Sequence, residues 1–306
     1  SRREFPAVAV IITDSSYHIK IYDGDDPDMP LWMEFQDVGS GSGLIPSPSA
    51  KPDSIAALNG IIVFGNVAGS VNSGQAGLLK LDFVEDAAYR YMVSGSSNYS
   101  GRWIGGGLAN RNTGTPANGS WDNSVGYIVN NVVNDVAMTV LPNASIDDAT
   151  GLPVPTIAVA TDGGTSVIKD NGTVVDMTRS GYHTDFVEFI EYNGIKLLCY
   201  LDNGSGVEIY SPGVFEIPNL DVDFGNVVLQ RFTRDQAPIA LGALNGVPTS
   251  VSNSNIDKGN SSGLTRIYLQ GSDNNSKDQS SAAYITSDYN TGWMHGDIKG
   301  AFLSDT

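Results

Sequence analysis

Four aspartates lead short polar turns at the ends of apolar segments: Asp14 after Ile12-Thr13, Asp162 after Ala160-Thr161, Asp202 after Tyr200-Leu201 and Asp288 after Thr286-Ser287. Paired carboxylates do acid–base work on glycosidic bonds, so such a row raises sugar hydrolysis as a chemistry. Asp has a second use at these positions, because its side chain accepts backbone N–H groups and starts a turn. Equivalent positions in a repeat array are spread along it and do not converge on one substrate. The sequence therefore assigns these four residues to turns.

Asp23-Gly-Asp25-Asp26-Pro-Asp28 has the charge density of a cation loop but not the Asp-x-Asp-x-Asp-Gly spacing and closing Glu of an EF-hand. A weak or absent site is the better reading, so the sequence assigns no cofactor; Asp23, Asp25, Asp26 and Asp28 are the candidate ligands if Ca2+ is held. His18, His183 and His295 lie far apart without a ligand pair, and no Gly-x-Ser-x-Gly elbow or phosphate loop occurs. Trp103 and Trp121, with Tyr99, sit in a long stretch rich in Asn, Gly, Ser and Thr. Aromatic faces beside amide and carboxylate groups hold sugar rings, so these three are the candidate binding residues. The competing reading has them anchor the loop.

The elements that must position these groups are strands. Ala7–Ile12, Gly60–Phe64, Leu78–Phe83, Val136–Leu141, Thr156–Ala160 and Ile195–Leu201 are short, apolar and bounded by Gly, Asn, Asp or Pro. No window carries helical spacing with caps. Each Asp-led turn has an apolar residue five positions on (Ile19, Val167, Val207, Trp293), which marks an internal repeat. Asn134 to Thr178 reads as a four-strand unit, and the next runs through Phe186–Ile190, Lys196–Leu201, Val207–Tyr210 and Val214–Ile217.

Asp162 to Asp202 is about 40 residues, the length of one blade of a β-propeller. The expectation is all-β: a propeller of about seven four-stranded blades, within a range of five to seven. Further blades are expected at Ser54–Ser94, between Trp103 and Asn130, and across Val227–Asn253. Ala7–Ile12 and Ile298–Leu303 would join to close the ring and remove open sheet edges. Residues 1–306 then form one domain, with loop insertions at 37–50 and 95–122. The lack of an initiator Met suggests a segment of a longer polypeptide.

The formal net charge of -17 argues against nucleic acid and anionic membrane surfaces as partners, and no apolar run reaches the length of a membrane span. The single Cys199 lies in an apolar strand and reads as a buried small hydrophobe.

Tyr289-Asn-Thr-Gly-Trp-Met-His-Gly-Asp-Ile-Lys-Gly-Ala-Phe-Leu-Ser-Asp305, Asn134–Leu141 and Leu152–Gly164 resemble segments of tail or tail-fibre-like proteins of marine bacteriophages. The resemblance implies a propeller ahead of lectin-like modules, and it carries no catalytic motif. It implies a non-enzymatic structural or host-attachment module of the virion tail. Its partners would be other tail proteins and a host surface glycan or receptor, met through loops on one face, with a homotrimer as the implied oligomer. A polysaccharide depolymerase and a secreted bacterial adhesin at the cell surface are the alternatives.

Overall fold

Alternating apolar runs and tight polar turns fold this chain into antiparallel sheets that follow one another in sequence order. The structure, a computed structural model, describes residues 5–13, 18–36, 44, 50–68, 77–95, 100–112, 121–202, 211–231, 250–251, 255–260, 263–268 and 282–286. The fold is all-β. Helix among the described residues is confined to single 3-10 turns at Leu108–Asn110 and Phe224–Asn226.

The first sheet is β1 (Ala9–Thr13), β2 (Ile19–Asp23) and β3 (Leu31–Phe35). The second is β4 (Ala50–Leu58), β5 (Ile61–Ala68), β6 (Gly77–Asp82), β7 (Ala87–Tyr91) and the short β8 (Gly101–Arg102). The third is β9 (Val133–Thr139), β10 (Thr156–Thr161), β11 (Gly164–Ile168) and β12 (Val174–Thr178). The fourth comprises β13 (His183–Glu191), β14 (Ile195–Asp202), β15 (Ser211–Phe215) and β17 (Val228–Arg231); between the last two, β16 (Val222–Asp223) departs to pair in parallel with β12. The fifth is β18 (Ser250–Val251), β19 (Asn255–Asn260), β20 (Gly263–Tyr268) and β21 (Ala282–Thr286).

Side-chain parity shows how the sheets stack. Successive residues of a strand face opposite sides. On β5, Ile62 and Phe64 pack with Ile19, Ile21 and Phe35 of the first sheet. Their neighbours Ile61 and Val63 pack with Val136, Ile157 and Val159 of the third. On β10, Ala158 and Ala160 turn the other way, onto Val187, Leu197 and Cys199 of the fourth. On β14, Leu198 joins Ile190, Val214 and Ile256 of the fifth. Each middle sheet therefore buries both faces, which is why β10 and β11 read as continuous apolar or small-residue runs with every residue buried.

The unit expected at 134–178 is present, with its four strands close to their expected positions. In the next unit, Val207–Tyr210 lies outside the described residues. The strand expected last there, Val214–Ile217, corresponds to the third, and Val228–Arg231 is the fourth. Where a blade is expected between Trp103 and Asn130, the described residues, 103–112 and 121–130, hold no strand and make an isolated bridge, one 3-10 turn and loops. The Val227–Asn253 region contributes β17 to the fourth sheet and β18 to the fifth, so the described strands fall into five sheets. Ile298–Leu303 lies outside the described residues.

The first strands of successive sheets, β4, β9 and β13, approach one another most closely. At that crowded end, a Cβ on Gly65 would sit 2.3 Å from Ser54 Oγ and 2.7 Å from Val133 Cγ1, so only glycine lets the second and third sheets close. Between the third and fourth sheets, polar groups at the edge of the apolar cluster add hydrogen bonds. Asn134 Nδ2 donates to Thr184 O at 2.9 Å and to Asp162 Oδ1 at 3.1 Å, and Thr165 Oγ1 donates to Thr184 Oγ1 at 2.9 Å. Asp135 accepts the Val187 N–H at 3.1 Å. Burial pushes the Asp135 carboxyl up to about 6, against the N–H bonds from Val187 and Val136 that pull it down, and Glu188 adds to the push. Cys199, fully buried beside Thr165, has its thiol pushed up to about 12 by burial.

Gly65→Ala is expected to destabilise the fold by about 1–3 kcal/mol through overpacking, read from the urea midpoint; an unchanged midpoint would refute the close approach. Because the folded chain holds the Asp135 proton more tightly than the unfolded chain, the stabilisation is complete below about pH 4. It is lost as the pH rises through about 6. Asp135→Asn removes this titration, so by pH 7 the wild type should have lost about 2–3 kcal/mol more, relative to its acid value, than the variant. Parallel pH–stability curves would contradict that.

Candidate functional site

The aromatic pair expected to stack on sugar is built into the core. Trp103 and Trp121 face each other across an isolated antiparallel bridge and are 4% and 6% exposed, among the side chains between the first and second sheets. The Arg90 guanidinium lies 4.4 Å from the Trp121 ring centroid and donates to Leu44 O at 3.3 Å. Leu108 joins the same core, and Arg111 and Asn112 bond Glu34 O at 2.6 and 3.0 Å. The described part of the 95–122 insertion is thus a staple from β3 to the second sheet, and buried ring faces cannot hold a ligand. Tyr99 lies outside the described residues. Within 37–50, Leu44 is fully buried in that core.

Three carboxylates of the candidate cation loop are taken up by backbone N–H groups, two within the loop and one on the chain leading into β1. Asp25 accepts from the Ala7 and Val8 N–H groups at 2.9 and 3.1 Å, Asp23 from Asp25 N at 3.1 Å, and Asp26 from Asp28 N at 3.0 Å. Asp28 gives that N–H, and no three His, Cys, Asp or Glu side chains among the described residues gather as a metal site. Of the repeated aspartates, Asp162 binds Asn134, while Thr161 closes the turn, donating to Gly164 O at 2.8 Å and accepting from Gly163 N at 3.1 Å. Asp14 and Asp288 lie outside the described residues, as does the side chain of Asp202.

The site the structure offers instead is a cleft of about 400 Å³ where the second and third sheets part. That volume suits a small ligand. Its apolar floor includes Ile61, Ile157 and Ile168 from the shared core. Parity along β6 and β7 supplies one wall: Leu79, Leu81, Ala88 and Arg90 turn to the first sheet, whereas Lys80, Asp82, Tyr89 and Tyr91 line the cleft. The opposite wall is the Asp147–Pro155 loop and the β11–β12 turn through Lys169–Gly172.

Hydrogen bonds hold both walls. Asp82 Oδ1 accepts the Val84 and Glu85 N–H groups, each at 3.1 Å, while its Oδ2 meets Lys80 Nζ at 3.0 Å. Asp170 Oδ2 accepts Ser145 N at 2.6 Å and Ser145 Oγ at 2.7 Å, tying loop to turn. Asn59 Nδ2 donates to Pro153 O at 2.8 Å, joining the loop to the second sheet.

Tyr91 is the group this scaffold leaves open. It is 4% exposed and lines the cleft, and no described residue hydrogen-bonds its hydroxyl. Burial, with the charges of Asp82 and Glu85, raises its pKa well above that of free tyrosine, so it stays a neutral O–H. The Tyr89 hydroxyl, raised by burial and by its bond to Glu85, donates to that carboxylate. Sequence reasoning missed this cleft. The one available signal was the alternation in Leu78-Leu-Lys-Leu-Asp82 and Ala88-Tyr-Arg-Tyr91, which sets Lys80 and Asp82 on one parity and Tyr89 and Tyr91 on one parity, with Arg90 on the other.

No family profile and no curated protein matches the chain. Among solved structures, Kluyvelomyces marxianus Hsv2 aligns at 9% identity and TM-score 0.41, over 92% of this chain and 68% of its own. Kluyveromyces lactis Hsv2p aligns at 10% identity and TM-score 0.38, over 87% and 66%. At those scores the likeness carries no argument, and the fold rests on the sheet order and packing above.

Trp121→Ala should cost about 3–5 kcal/mol in urea unfolding, as truncation of a core Trp does. Unchanged stability combined with loss of saccharide binding would restore the stacking role.

Proposed function

We propose that this chain is a non-enzymatic attachment module of a phage tail or tail fibre. Its scaffold is a β-propeller ring of five blades, and its ligand site is the cleft between the second and third sheets. The ligand is a saccharide of the host surface. The observation that carries this reading is the Tyr91 hydroxyl, which opens into the cleft from a buried ring with no hydrogen-bond partner among the described residues, while the walls around it are tied by their own hydrogen bonds. A polyhydroxylated ligand supplies the missing partner there, and its apolar ring faces suit the isoleucine floor.

Two observations support the ring. The sheets stack face to face in sequence order, and the first sheet has three strands where the others have four or five. A strand from Ile298–Leu303 beside β1 would complete it. The virion setting follows from the resemblance of the three sequence segments to phage tail proteins, as do tail-protein partners and trimerisation. Binding without hydrolysis suits the cleft carboxylates, since Asp82, Asp147 and Asp170 each hold backbone N–H groups of the walls.

Tyr91→Phe keeps the ring and removes only the hydroxyl. By calorimetric titration with a neutral N-acetylglucosamine oligomer, it should weaken binding about three- to tenfold, the worth of one hydrogen bond, with the thermal midpoint unchanged. Equal affinity in the two proteins would overturn the cleft as the site.

A further inference from the structure

The charged groups of the same cleft point to which saccharides it accepts. Four carboxylates line it, from Asp82, Glu85, Asp147 and Asp170, against two ammonium groups, from Lys80 and Lys169. Both ammonium groups are engaged by the protein. Lys80 Nζ sits 3.0 Å from Asp82 Oδ2 and 5.0 Å from the Tyr89 ring centroid. Lys169 Nζ donates to Asn219 Oδ1 at 2.9 Å. The Tyr89 hydroxyl is taken by Glu85, which leaves the neutral Tyr91 hydroxyl as the open donor among these groups.

Asp170 and Asp147 remain ionised: the Ser145 N–H and hydroxyl hold the first below the usual carboxylate range, and the Thr150 hydroxyl and N–H do the same for the second. A net charge of -17 on the whole chain extends the negative field beyond the cleft. An acidic sugar entering here meets a carboxylate excess: Lys80 is paired with Asp82, and the Lys169 ammonium, held by the neutral Asn219 amide, is the one unpaired counter-charge among these groups against Glu85, Asp147 and Asp170. An amino sugar meets carboxylates directly, and a neutral sugar meets groups that accept its hydroxyls.

We propose that the cleft selects by charge, taking neutral and amine-bearing saccharides and rejecting those that carry carboxylate, sulfate or phosphate. This rests on the reading of the cleft as a saccharide site. The test titrates the intact chain with glucosamine, N-acetylglucosamine and galacturonate oligomers of equal length, at low and high salt, in wild type, Tyr91→Phe and Glu85→Gln.

The glucosamine oligomer should bind tightest and weaken with salt, the neutral oligomer should be insensitive to salt, and the galacturonate oligomer should bind at least about tenfold more weakly than the neutral one. Glu85→Gln should lower glucosamine affinity about fivefold, a larger loss than it causes for the neutral oligomer, and should flatten the salt dependence of glucosamine binding. Galacturonate binding as tight as the neutral oligomer, with Tyr91→Phe weakening both, would overturn charge selection and leave the site standing. Binding that ignores Tyr91→Phe, or no binding by any of the three, would overturn both.

Discussion

Burial of both faces of a sheet is the constraint on which the rest of this structure depends. A sheet such as β9–β12, apolar on either side, has no stable place except between two others. Ile157 and Val159 need the second sheet, and Ala158 and Ala160 need the fourth. Repeating that demand along the chain gives the serial stack. The first strands crowd together at one end, where Gly65 removes a side chain to let Val133 in. Toward the later strands the sheets splay, and the space between them must be filled or left open.

What fills it differs from one interface to the next. Between the first and second sheets an insertion enters with Trp103, Trp121 and Leu108, and Arg90 lies buried against the indole. Between the third and fourth, β16 crosses back to β12 and Phe224 packs on Phe215. Between the second and third, the connecting chain and the Asp147–Pro155 loop cover the gap only partly, and a polar cleft remains. The geometry that buries the tryptophans is therefore the same geometry that leaves Tyr91 open.

The sequence carried the strands and their grouping well, because β-branched runs bounded by Gly and Asp have few other fates. The unit at 134–178 was legible nearly residue by residue. The number of units was less so. The stretch from Trp103 to Asn130 has aromatic residues at plausible spacing, yet Trp103 and Trp121 bridge each other and make a staple. The site was least legible. Lys80 and Asp82 come from one strand, and Asp147 and Asp170 come from loops of another sheet. Nothing in their spacing shows that the sheets pack face to face. Trp103 and Trp121 drew attention as sugar platforms because composition describes a loop without saying which way its aromatics turn.

Amide hydrogen exchange on the intact chain, with and without a saturating N-acetylglucosamine oligomer, tests most directly whether the parting of the second and third sheets is where this protein binds. The account predicts added protection confined to β6, β7, the Asp147–Pro155 loop and the turn through Lys169–Gly172. Protection gained instead in the Asp23–Asp28 loop or around Trp103 and Trp121, with none at Tyr89 and Tyr91, would contradict it.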